Sequence, residues 1–275
     1  MRGAFLDAVA TNFRRMMVAS LWVCSGLAWA QTRPLNDTGI TFSGNATSGN
    51  SASCLATDPA RQDCRAGRDA AAVAGTLSKT GGSAGTNGFD FTKVCNSGQT
   101  AGQGTCPANP TTPGYGTNEW GCTKDNVTGL LWEVKTTSGL RSMSHTYTWY
   151  MTGSPDGNNG TPAATTGSST CATLGRCDTE KYVQDVNAAG LCGSYTGWRM
   201  PTVKELEGVT DLGRSSPAID PTYFPNTPSS YVWSGSPSAG NSSYAWYVVF
   251  SVGYASNRYG GRSGAGQVRL VRGGQ

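Results

Sequence analysis

The sequence predicts an α+β domain in which two short helices sit in a twisted, mainly antiparallel sheet, stabilised by disulfides and preceded by a loop-rich extension. Three observations point there. Of 275 residues 38 are Gly and only 14% are charged, a turn-rich composition that argues against a helical cytosolic enzyme. Aromatic residues come late: residues 31–114 hold only Phe42, Phe89 and Phe91. Because aromatic side chains dominate cores, the packed domain is placed at 115–275, and 31–114 reads as a Gly/Ser/Thr-rich extension with little apolar area to offset chain entropy. Finally, cysteines are too many for a reducing compartment: Cys54, Cys64, Cys95, Cys106, Cys122, Cys171, Cys177 and Cys192 remain once the first 30 residues are set aside, an even set that reads as four disulfides.

Residues 1–30 have the order of a secretory signal peptide. Arg14 and Arg15 are the basic start, residues 16–27 the short apolar stretch, and Ala28-Trp29-Ala30 the small-x-small cleavage site. Cleavage after Ala30 removes Cys24 and delivers the protein to the periplasm, the cell surface or the medium. Val23 stands where a lipoprotein box wants a small residue, so free export is favoured over lipid anchoring. No later apolar run approaches the ~20 residues of a membrane span, and Gly lacks the every-third-residue recurrence of collagen. Short loops favour Cys54–Cys64, Cys95–Cys106 and Cys171–Cys177, which leaves Cys122–Cys192 as the long closure; spacing alone does not fix this map.

Along the domain the elements follow from local pattern. Residues 130–135 form a strand after the turn Asp125-Asn126-Val127-Thr128-Gly129. Residues 146–150 form another, with Tyr147 and Trp149 on one face. Residues 179–189 form a helix with Tyr182, Val183 and Val186 on one side and Gly190 ending it. Thr202-Val203-Lys204-Glu205 is a capping box directly after Pro201 and starts a second helix. Residues 244–252 alternate as a strand, with Tyr247 and Val249 opposite Trp246, Val248, Phe250 and Val252, and residues 267–272 form the last strand.

Residues 125–133, Thr148-Trp149-Tyr150, the run from Cys192 through Trp198-Arg199-Met200-Pro201 to Leu206, and residues 268–274 together resemble, in order, the Lcl C-terminal domain family, named after a bacterial collagen-like adhesin. The resemblance covers about residues 118–274. Met200, where the family usually has Leu, conserves volume. What the resemblance implies is an exported cell-surface or adhesive module without established enzymatic activity, related to the C-type lectin-like architecture. The Glu-Pro-Asn and Trp-Asn-Asp tripeptides of calcium-dependent lectins are absent. Within the motif Trp132, Trp198, Arg199, Pro201, Thr202, Glu205, Arg269 and Arg272 read as structural: Trp198 packs under the sheet, Arg199 ties loop carbonyls or a carboxylate together, and Pro201 fixes the backbone before the cap.

Catalytic patterns are weak. Gly81-Gly82-Ser83-Ala84-Gly85 fits a hydrolase nucleophile elbow but lacks the apolar strand before it and the helix after it. His145, the single histidine, has no second imidazole or activated nucleophile beside it in sequence. A hydrolase built on His145 or on a carboxylate pair therefore ranks behind a non-enzymatic binding module. No cofactor or metal is expected. Asp156-Gly157-Asn158-Asn159-Gly160 has the look of half a calcium loop, but Ser168 stands where an EF-hand needs Glu, and the turn reading outranks calcium.

The tail carries the functional expectation. From residue 221 onward there are Arg258, Arg262, Arg269 and Arg272 and no acidic residue. Clustered Arg suits sulfate, phosphate or carboxylate groups. Residues 253–264 have the Tyr/Ser/Gly/Asn/Arg composition of adaptable recognition loops. Tyr247, Tyr254, Asn257, Arg258, Tyr259 and Arg262 are the candidate ligand contacts, and an anionic glycan or another cell-surface ligand is the expected partner; nucleic acid is not. One alternative is a lectin-like protein diversified by a retroelement, since Tyr247, Val249, Tyr254, Ser256, Asn257, Arg258, Tyr259 and Ser263 are all reachable from an Asn codon by adenine mutation. Another is a structural envelope or matrix protein without a small ligand.

Overall fold

The turn at residues 125–129 shows how local sequence builds the sheet. The Asp125 carboxylate accepts from the Val127 and Thr128 amides, at 3.0 and 3.2 Å, and Gly129 supplies a φ of +74°, so the chain reverses into an antiparallel pair. A computed structural model describes residues 35–273 apart from 41, 46–48, 52–54, 67–69, 72–73, 77–88, 163–169 and 195. The signal peptide, Cys54, the Gly81–Gly85 pattern and Ser168 lie outside the described residues. The elements are β1 (Ser43–Gly44), β2 (Asn50–Ser51), α1 (Asp63–Ala66), β3 (Phe91–Cys95), β4 (Trp120–Asp125), β5 (Leu131–Glu133), α2 (Thr179–Ala188), α3 (Val203–Glu207), β6 (Tyr231–Pro237), β7 (Ala245–Val249), β8 (Tyr254–Ser256) and β9 (Val271–Arg272). The fold is α+β, with antiparallel pairing in the order β3-β4-β5-β9 in one sheet and β6-β7-β8 in another.

Alternation along β6 and β7 places two cores on opposite faces of the smaller sheet. Trp233, Ala245 and Tyr247 join Tyr147, Trp149, Tyr182, Val186 and Leu270 on one face. Val232, Val248 and Phe250 join Trp132, Leu206, Phe224 and Phe89 on the other. Disulfides Cys95–Cys106, Cys122–Cys192 and Cys171–Cys177 close as their spacing suggested. Cys64 is disulfide-bonded too. No helix among the described residues is long and apolar enough to cross a membrane.

Three expectations change. Residues 146–150 are extended but do not form a ladder: Tyr147 bridges Gly266, Thr148 bridges Asp178 and Tyr150 bridges Gly160. With three different partners in succession, no single strand can run beside them. The strand expected at 244–252 ends at Val249, because a turn with Gly253 at φ +83° leads into β8 and leaves Val252 54% exposed. The last strand shrinks to β9, and Gln267 bridges Val232 instead. Sheet pairing also begins before residue 115: β3 flanks β4, and Phe89 and Phe91 pack into the second core with Phe224.

Candidate functional site

The tail loop is fixed from below. Gly260 crosses so close to β7 that a Cβ there would stand 2.3 Å from the Ala245 carbonyl oxygen, and the Ala245 amide donates to Gly260 O at 2.9 Å. Asn257 Nδ2 donates to Ser238 Oγ at 2.8 Å, and the Arg258 amide donates to Ser256 Oγ at 3.1 Å. On this scaffold Tyr254 and Tyr259 stand 54% and 81% exposed. The Arg258 guanidinium lies 5.7 Å from the centre of the Tyr259 ring, and among the described residues Arg258 forms no ion pair.

Two other tail arginines, Arg262 and Arg269, are engaged inside. Arg262 is buried, 4.1 Å above the Trp149 ring, and donates to Asp156, to Asn158 O and, at 3.1 Å, to Tyr244 O. It joins the turn at 154–160 to the tail and has no face to offer a ligand. Burial works to raise the Asp156 carboxyl, but Ser154 and Arg262 hold it below the usual carboxylate range. Tyr247 is also inside, its ring 5.2 Å from Tyr231 and 6.0 Å from Trp233. Burial removes both from the expected contact surface. Arg272 lies 5.5 Å over Trp198.

The Trp-Arg-Met-Pro segment is a joint. Trp198 is buried and its Nε1 donates to Leu191 O at 3.1 Å. Arg199 grips both Glu205 oxygens, at 2.7 and 2.8 Å, and reaches Gly273 O. Thr202 and Glu205 complete the capping box of α3. Pro201 offers its carbonyl to the Gly235 amide at 2.7 Å. Beside this joint lies a cleft of about 320 Å³ walled by Tyr150, Met151, Val183 and Met200.

Sequence reading offered Glu133 as a carboxylate for Arg269 and Arg272 but missed the polar centre built around it. Glu133, fully buried beside Trp132, accepts from Lys135 Nζ at 2.9 Å, from the Leu270 amide at 2.9 Å and from the Tyr182 hydroxyl. Arg269 is equally buried, yet it donates to Glu133 O and Thr227 Oγ1, both at 2.6 Å, and not to the Glu133 carboxylate. Burial, only partly countered by Glu133, pushes the Lys135 amine down to about 8. The available signal was Glu133 and Lys135 two apart on a strand, hence on one face of it.

His145 Nε2 lies 2.9 Å from Gly139 O, and burial lowers its pKa. Its hydrogen bonds bring it no nucleophile. No group of His, Cys, Asp or Glu side chains among the described residues is arranged to hold a metal ion. Compared with known families, the chain matches the Lcl C-terminal domain over residues 121–272, more than half its length. No curated protein and no solved structure matches it.

Proposed function

The chain belongs to the Lcl C-terminal domain family, and from that premise we propose that it is an exported, non-enzymatic binding module that holds an anionic glycan at the surface formed by Tyr254, Asn257, Arg258 and Tyr259. The C-type lectin-like relationship and signal cleavage after Ala30 belong to the same proposal. One observation carries it: Arg258 is an exposed cation stacked on a ring that is itself 81% exposed. Aromatic rings give a sugar a flat apolar contact, and a guanidinium matches sulfate or carboxylate in two parallel hydrogen bonds. The rigid support lowers the ordering cost of binding.

Of the four tail arginines Arg262 and Arg269 are buried and Arg272 is half-buried over Trp198, so Arg258 is the most exposed of them. The test is binding of the purified protein to immobilised heparin and to a panel of neutral and acidic oligosaccharides. Arg258→Ala combined with Tyr259→Ala is expected to weaken acidic-glycan binding at least tenfold, with unchanged thermal unfolding. Unchanged binding by that double variant overturns the assignment of the surface.

A further inference from the structure

The buried charges near Lys135 do not balance. Lys135, Arg141 and Arg269 are 4%, 2% and 1% exposed, and of the three only Lys135 bonds the Glu133 carboxylate. Arg141 and Arg269 both act on Lys135 as like charges. Lys135 has Glu133 and the Tyr182 hydroxyl; Arg269 has a carbonyl and the Thr227 hydroxyl. Arg141 has main-chain carbonyls only, those of Gly121, Val134 and Gly114. A guanidinium has five N–H donors. Three bonds to carbonyls leave part of its edge unspent, and among the described residues Arg141 Nε donates to nothing and Arg141 forms no ion pair.

Arg141 also lines a cavity of about 230 Å³ walled by Asn96, Tyr115, Thr117, Leu140, Val186 and Ala189. The Tyr115 ring lies 4.8 Å from the guanidinium. This cavity shares no residue with the Tyr254–Tyr259 surface. A buried cation without a carboxylate is costly, and an anion entering the cavity would supply the missing charge where a planar guanidinium edge matches a planar carboxylate. The Tyr115 ring and the Leu140 and Val186 side chains offer an organic body apolar contact beside the polar edge formed by Arg141, Asn96 and Thr117.

We infer that this cavity is a binding site for a small organic monocarboxylate, held by Arg141 with Tyr115 and Leu140 packing against its carbon skeleton. The carboxylate could belong to a free organic acid or to an acidic sugar, and the two are separated by the probes. The inference does not depend on the tail loop being a glycan site.

The experiment titrates the purified protein with benzoate and with glucuronate, using their methyl esters and inorganic sulfate at matched ionic strength as controls, and follows thermal unfolding and the Arg141 Nε–H resonance. A saturable rise in unfolding temperature with benzoate, glucuronate or both, accompanied by movement of that resonance and absent with the esters, supports the site and names its source. Ala189 is exposed at the cavity wall, so Ala189→Phe fills the space without touching the core. It should weaken carboxylate binding at least tenfold, whereas Arg258→Ala with Tyr259→Ala should leave carboxylate binding unchanged. Arg141→Lys, which keeps the charge and loses the planar edge, should weaken it as well. No saturable effect of either acid, an equal effect of sulfate or the esters, or full binding by a folded Ala189→Phe variant overturns the inference.

Discussion

Arg258 and Arg262 share a loop, a residue type and a surrounding composition, and their surroundings in the fold differ completely. Arg262 reaches Asp156, 106 positions earlier in the chain, together with two carbonyls and the Trp149 ring. Removing one partner of such a buried pair strands the other, and Arg262→Ala is expected to cost about 3–5 kcal/mol. Arg258→Ala, at an exposed site without an ion pair, should stay within about 0.5 kcal/mol. Urea unfolding of the two variants side by side checks this; equal losses would show that Arg262 is not the clamp described. Loop composition cannot distinguish the two arginines, because what decides between them is a carboxylate from a distant turn. The same holds for Tyr247, whose inward face is set by Tyr231 and Trp233 on the neighbouring strand.

Elements whose causes are local were legible in sequence. The capping box of α3 stands at Thr202 and Glu205 as the spacing required, and α2 spans Thr179–Ala188 close to the bounds read for it. The short loops Cys95–Cys106 and Cys171–Cys177 closed for the same reason. Residues 146–150 were read as a strand because alternation reports faces and not partners; Tyr147 and Trp149 are both buried, but the chain threads between three segments. β3 escaped notice because few aromatics precede residue 115, although Phe89 and Phe91 are core residues. The joint at α3 yields a prediction at this scale. Burial would raise the Glu205 carboxyl, yet bonds from Arg199 and Thr202 hold it below its ordinary value. Its contribution is therefore present above the unfolded carboxyl pKa and lost as pH falls through the lower folded one. Glu205→Gln should cost about 2 kcal/mol at pH 7, from cap and charged hydrogen bonds together. The gap from the parent protein should narrow below about pH 4. Thermal unfolding at pH 7 and pH 3.5 measures both, and a gap that stays constant with pH would remove Glu205 from this account.

At the scale of the whole molecule, the larger sheet, α2 and the C-terminal segment meet at one polar centre. Glu133 comes from β5, Tyr182 from α2, and Arg269 and the Leu270 amide from the chain leading to β9. Lys135 is held there with Glu133 attracting it and Arg269 and Arg141 repelling it, and burial pushes its amine down to about 8. An unfolded lysine titrates near ~10.4. Between those values the unfolded chain binds more protons than the folded one, so stability rises as pH increases from about 8, with a slope of at most about 1.4 kcal/mol per pH unit from this group. The rise does not continue indefinitely. Tyr182 and Tyr147 are raised by burial and by Glu133, so above about pH 10 unfolded tyrosines ionise while the folded ones stay protonated, and stability turns down. Arg269, pushed down to about 10 by burial, opposes that fall only in part. Burial lowers the Lys93 amine as well, so Lys135 is read by difference over about pH 7.5–9.5. There the urea midpoint of the parent protein should climb, while Lys135→Met, which removes the titrating amine and leaves Glu133 its bonds from Tyr182 and Leu270, should climb less steeply. A parent midpoint that falls across the window, or a Lys135→Met variant that climbs as steeply as the parent, would mean that the buried centre does not carry its positive charge on Lys135.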